Sequence, residues 1–288
     1  MRSIQRLAIT VTVCAGPVVA HAQPASNICG TTGSFAVFAV RPLGHLSSMP
    51  VIPEDRSRVE LVHEHLFFCR AGSVVDNLGF GPVNAMKLGN QPGAVFIEPA
   101  DQFPRYRVIG RRYNLELMSR AVGPRQCTPA TYNLLLHNCQ DFAAGMRSRY
   151  WTYALEGDWV SAGYGCADRV DIEERVQISV NAAGGMAAVK RTGDPCVPAP
   201  SPTFQGHVPA DFAPGVALLV SVTLGTPDAP ASASLDDQLL VHDENGFSLG
   251  HGGLTFRRAT PIPIPQPAGA SVRHATRRVR ATHHRRSR

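Results

Sequence analysis

Three side chains in this sequence have the types and surroundings for nucleophilic chemistry: Cys139, His63 and His65. Cys139 lies in YNLLLHNCQDFAAGM (132–146), and the histidines lie in RVELVHEHLFFC (58–69). Asn138 is a strong helix N-cap type, which predicts a helix opening at Cys139. A sulfur there feels the unsatisfied N–H groups and the positive end of the helix dipole, and both favour a thiolate. Asp141 would help cap the helix while its charge partly opposes that thiolate. A thiol nucleophile also needs a base, usually an imidazole. His63 and His65 stand two apart in a strand-like run, so period two puts both on one face. Such a pair would hydrolyse an amide, peptide or ester bond, or transfer its acyl group. N–H groups at the helix start, beside the Asn138 cap, would hold the oxyanion. The plainer reading stays open: Cys139 as a disulfide or inert core thiol, and the histidines as strand residues meeting solvent. His137, on the cap side, reads as solvated.

The elements that must position these residues can be read in outline. SFAVFAV (34–40) predicts a buried strand and 58–69 a central one. Arg70, Ala71 and Gly72 turn the chain, and SVVDNLGFGP (73–82) returns as the hairpin partner. GAVFIEP (93–99) and RYRVIGRRY (105–113) are further strands. NLELMSRAV (114–122) is an Asn-capped helix ended by Gly123 and Pro124, and a second helix runs from Cys139 to about Tyr150. After Tyr150 the composition shifts to short alternating runs with Gly- and Pro-rich turns: 170–180, 185–194, 215–225, 237–243 and 246–256. That half reads as an all-β unit.

The segment YNLLLHNCQDF resembles the Y-x-L-x-x-x-N-C-x-x-F signature of circularly permuted papain-like proteins of the NlpC/P60 superfamily. That group includes lecithin:retinol acyltransferase-like and PPPDE-type peptidase proteins. HEHLFFCRAGSVVDNLGFGP also resembles the family's histidine strand and hairpin return. The likeness spans about residues 34–150. It implies a permuted papain-like N-terminal domain with an antiparallel sheet and packed helices, and covers none of the second half; with the all-β unit read from the strand pattern, the expected fold class is α+β. It implies Cys139 as nucleophile and His65, followed directly by four apolar residues, as base, with His63 as runner-up. Asn77 on the hairpin return is the candidate for orienting the imidazole. The doubled His-Glu-His departs from the family pattern. The substrate class implied is a peptide, cell-wall or lipid-type acyl compound, and the alternative is a non-catalytic exported protein using the same scaffold.

Bulk properties bound the rest. The first 22 residues combine Arg2 and Arg6, an apolar run and Ala-His-Ala, which predicts a secretory signal peptide and a secreted or periplasmic product. No later apolar run is long enough for a transmembrane segment. Of 28 basic residues, two lie in that leader and seven after Gly269, leaving 19 against 22 acidic ones, a net −3. The body therefore lacks the basic footprint of a specific nucleic-acid binder. TPIPIPQP (260–267) reads as a stiff spacer, and the Arg/His tail as disordered, with anionic polymer or lipid headgroups as its candidate partners. The expected organisation is a 30–150 domain, a 151–258 β-rich domain and a 259–288 linker and tail. Six cysteines follow the leader. Cys166 and Cys196 suggest a disulfide; if Cys139 is a free nucleophile, one of the other five must also stay unpaired, and Cys69, in an apolar run, is the candidate. Cysteine and histidine spacings match no zinc pattern and no phosphate loop is present, so neither metal nor cofactor is expected. The acidic group Asp236, Asp237, Asp243 and Glu244 reads as a solvated edge.

Overall fold

The computed structural model describes residues 28–30, 33–42, 62–83, 90–123, 130–133, 137–166, 169–250 and 253–263. The leader, the basic tail, Cys14 and Cys127 lie outside them. Strands β1 (Ser34–Pro42), β2 (Val62–Arg70), β3 (Ser73–Pro82), β4 (Gln91–Phe96), β5 (Arg107–Asn114) and β6 (Ala130–Tyr132) form one sheet, in the order β5-β1-β2-β3-β4-β6. All its pairings are antiparallel. β2 is central, as its nearly continuous apolar run requires. Ala71 and Gly72, both at positive φ, make the tight β2–β3 turn.

Two helices, α1 (Leu115–Val122) and α2 (Cys139–Leu155), lie on one face of this sheet. Asn114 caps α1 by accepting from the Glu116 and Leu117 N–H groups. The apolar residues Ala36, Phe38, Leu66, Phe68 and Leu78 meet Leu117, Met118, Ala143 and Met146 there. The same apolar cluster continues through Tyr150 and Leu155 into the second half of the chain.

That second half consists of β7 (Gly157–Cys166), β8 (Arg169–Val180), β9 (Gly185–Lys190), β10 (Pro202–His207), β11 (Ala217–Thr226), β12 (Ala229–Asp243), β13 (Gly246–Leu249) and β14 (Thr255–Arg258). They pair in chain order, and β14 pairs back to β7, closing a barrel. Trp159, Phe204, Phe247 and Phe256 pack against one another inside it. An eight-stranded barrel is just wide enough for side chains to fill. Arg258 on β14 ties the barrel to α2, donating to the Ala154 and Glu156 carbonyls at the helix end.

This architecture overturns the expected α+β, permuted papain-like fold with packed helices. The chain is mostly β, with fourteen strands against two helices of 8 and 17 residues among the described elements. The physical reason is in the patterning: alternating or continuously apolar runs of strand length recur through most of the described residues, whereas helical spacing holds over two segments. A closed barrel beside an antiparallel sheet is what that pattern builds.

Two disulfides are present among the described residues. Cys166–Cys196 agrees with the sequence reading, but Cys69 is bonded to Cys29, not left as a thiol. Cys69 comes within reach because Ala71 N–H bonds to the Gly33 carbonyl, drawing the segment ahead of β1 over the end of β2. Among the described residues no helix is long and apolar enough to cross a membrane.

Beside Cys196, Lys190 is fully buried and donates to Asp194 at 2.6 Å, with Glu174 at 3.5 Å. Burial pushes the Asp194 carboxyl up, but the Lys190 ammonium and the Val197 and Cys196 N–H groups together hold it below the usual aspartate range. A depressed carboxylate contributes stability above its unfolded pKa of about 4, lost as the pH falls through the lower folded value. Asp194→Asn is therefore expected to cost about 1–3 kcal/mol at pH 7. The gap from wild type should narrow below about pH 4 in urea titrations.

Candidate functional site

The face of the sheet opposite the helices carries the site. Arg41 on β1, His63, His65 and Phe67 on β2, and Asn77, Gly79 and Gly81 on β3 share it by period two. Register places Arg41 opposite His63 and His65 opposite Gly79. The chain after β4 folds over this face. Phe96 stacks on His63, with centroids 5.4 Å apart, and Tyr106 lies against His65 and Phe67. Glycine at 79 is a steric requirement: a Cβ there would lie 2.2 Å from His65 Nδ1 and 3.1 Å from His63 Nε2.

Cys139 reaches this face from α2. Pairing of β2 with β3 begins at His65–Gly79, so beyond it the two strands part. Cys139 Sγ accepts from the Glu64 N–H at 3.1 Å and lies 3.7 Å from the Val62 carbonyl. The sulfur thus sits against the main chain on both sides of His63. Three interactions hold it there. Asn138 accepts from the Gln140 and Asp141 N–H groups, Asp141 returns a bond from the Asn138 N–H, and Arg147 of α2 pairs with Glu64 on the helix face. The cap consumes the Gln140 and Asp141 donors, which turn into the helix rather than toward a substrate oxygen. Cys139 is the one cysteine outside a disulfide among the described residues, and it is 0% exposed.

The two imidazoles form a chain whose protons can be assigned. The Glu98 N–H donates to Asn77 Oδ1 at 2.7 Å, which fixes the amide orientation, and Asn77 Nδ2 donates to the Glu98 carbonyl. The same Oδ1 lies 2.7 Å from His65 Nε2, so that nitrogen must carry a proton. His65 Nδ1 then accepts in the neutral ring, and His63 Nε2, 3.3 Å away, donates to it. In neutral His63 this leaves the lone pair on Nδ1, the ring nitrogen nearer its own main chain. Burial holds both rings neutral at ordinary pH. It lowers His65 to about 4, against the Asn77 bond, and puts His63 well below its ordinary value, with help from His65 and Arg41.

Comparison with protein-family models, with curated proteins and with solved structures gives no match to this chain.

Of the residues singled out in the sequence, the structure brings Cys139, His63, His65, Asn77 and Asn138 into one buried neighbourhood. It puts the sulfur against the main chain on either side of His63, the runner-up, whose ring is hydrogen-bonded to that of His65. His137 is exposed and outside this group. Arg41, Phe96, Glu98 and Tyr106 were not found from sequence. The Glu98 carboxylate accepts from Arg41 at 3.3 Å, and Arg41 also donates to the Tyr106 hydroxyl. One signal for them was present: Gly79 and Gly81 alternate with Leu78 and Phe80, and glycine at alternate positions of a strand marks close approach by another group.

Proposed function

We propose that this protein performs thiol-dependent acyl chemistry, hydrolysis or transfer at an amide, peptide or ester bond, with Cys139 as nucleophile and His63 as base. The observation that carries the reading is the placement of the sulfur against the His63 main chain, in line with a hydrogen-bond chain that leaves the His63 lone pair on Nδ1. The likeness of the Asn-Cys-x-x-Phe segment to permuted cysteine hydrolases supports it at the level of the motif. The Cys139 proton passes to His63 Nδ1 as the sulfur bonds to the acyl carbon, and the leaving amine or alcohol takes that proton as its bond breaks. Water or another acceptor then cleaves the thioester by the reverse transfer. His65 and Asn77 are positioning residues, fixing the ring and tautomer of His63. Because both imidazoles are neutral, the resting pair is thiol and imidazole, activated as the acyl carbon approaches.

Full burial of the sulfur favours a second reading, in which Cys139 is a structural thiol of an exported binding protein. Incubation of the folded protein with a small activated ester, followed by mass mapping, separates the two. Acyl transfer to Cys139, absent in Cys139→Ser, is the expected result. A sulfur that reacts only after unfolding in urea leaves the structural reading.

A further inference from the structure

The convergence of His63, His65 and Glu98 has a second chemistry. We infer that these three side chains form a binding site for a divalent transition metal of the zinc type, one that competes with the proton now shared by the two imidazoles. Each residue offers a donor atom, all within 4.8 Å of one another, and all three residues are buried.

The spacing of the two nitrogens points to a metal. At 3.3 Å the His63 Nε2 to His65 Nδ1 hydrogen bond is a long one. Two Zn–N bonds of about 2.05 Å meeting at the tetrahedral angle put their nitrogens about 3.3 Å apart. The rings thus already hold the bite of a tetrahedral ion. A rotation of the Glu98 side chain supplies the third ligand, leaving a fourth position for water.

The outer partners are those a metal-ligating histidine needs. His65 donates Nε2–H to Asn77, which directs the Nδ1 lone pair inward, and Asn77 is fixed by the Glu98 main chain. Gly79 keeps clear the space beside the two nitrogens. Phe96 and Tyr106 shield the rings from water, which strengthens attraction between the cation and the Glu98 carboxylate. Arg41 opposes binding, because its guanidinium already pairs with Glu98 at 3.3 Å.

Occupancy has a defined consequence. When the ion takes His63 Nε2, the proton there moves to Nδ1, and the ring stays neutral. Nδ1 then carries N–H and has no lone pair for the Cys139 proton. Metal binding needs only the three ligands, whereas its effect on the thiol rests on the acyl-chemistry reading.

Zinc titration calorimetry of the full chain in the Cys139→Ser background tests the site with no thiolate present. Tail histidines contribute equally to every variant. His63→Gln and Glu98→Gln are expected each to weaken one zinc equivalent by at least roughly 100-fold, since even outer-partner losses cost 10–100-fold. Arg41→Gln should tighten it, a gain that damage to the fold would not give. Circular dichroism melts identify any variant that fails to fold, and a zinc-induced rise in Tm that Glu98→Gln loses gives a second readout. Indistinguishable isotherms for the parent, His63→Gln and Glu98→Gln would overturn the metal site. In the wild-type chain, one zinc equivalent should slow Cys139 acylation and a chelator should restore it. Zinc binding without acylation in metal-free buffer leaves the metal site standing and removes the proposed function; the converse result does the opposite.

Discussion

His63→Gln is expected to slow acylation of Cys139 by a small activated ester about 10²–10⁴-fold, the usual weight of a general base. Glutamine keeps polar atoms over Gly79 and can still donate to His65 Nδ1, so the packing under Phe96 survives while the basic nitrogen is lost. Asn77→Ala tests the same base from a distance. It leaves the thiol and both rings in place but removes the acceptor that holds the proton on His65 Nε2. His65 can then adopt the other tautomer, reversing the bond to His63 and moving the His63 proton to Nδ1. Its acylation rate should fall about 10–100-fold, and Asn77→Asp, which keeps an acceptor oxygen, should recover most of it. The rates are read by mass spectrometry of the adduct, with circular dichroism as the folding control. Wild-type acylation by His63→Gln would remove His63 from the chemistry.

The pair of histidines was legible because it depends on the shortest-range rule in a sheet, the alternation of side chains along one strand. The Asn138 cap and the hairpin turn at Ala71–Gly72 are equally local, and the structure holds both. Glu98 was not legible, since it joins the histidines through two ladders and the fold-over after β4, and no spacing encodes that register. The fold class failed for a related reason. A cysteine motif of eleven residues says how one helix begins; it is silent on how the strands beyond that helix pair. β7 and β10 were hidden by glycine in GDWVSAGYGC and by the opening proline and a glycine in PTFQGH. Barrel closure through β14 and β7 joins residues 95 to 99 positions apart in sequence. Cys69 misled because an apolar run describes a buried thiol and a buried disulfide equally well, and its partner lies 40 residues upstream.

Glu244 shows the same limit with the largest expected cost to stability. Its acidic neighbours suggested a solvated edge, yet it is 0% exposed. It reaches from the end of β12 to the first sheet, accepting from Arg111 of β5 through both oxygens, at 2.6 and 2.7 Å, and from the Tyr150 hydroxyl of α2 at 2.8 Å. The Tyr150 oxygen in turn accepts from the Asn114 N–H, just ahead of α1. One carboxylate therefore joins barrel, helix and sheet, and burial with the Glu244 charge pushes the Tyr150 phenol up. Glu244→Ala removes the carboxylate from the buried Tyr150 hydroxyl and from Arg111, whose side chain is 37% exposed and so partly solvated, and is expected to cost about 2–4 kcal/mol, somewhat less than a fully buried pair. Arg120→Ala is the matched control. It breaks the Arg120–Glu156 bridge at 2.8 Å, where the arginine side chain is 52% exposed, so about 0–1 kcal/mol should be lost. Urea unfolding followed by tryptophan fluorescence reads both, because Trp151 lies under Arg111 and Trp159 inside the barrel. If sheet and barrel fold as one unit through this carboxylate, Glu244→Ala lowers a single shared midpoint or splits it in two. Equal small losses in the two variants would mean that the apolar packing around Tyr150 and Trp159, not the ion pair, couples the halves.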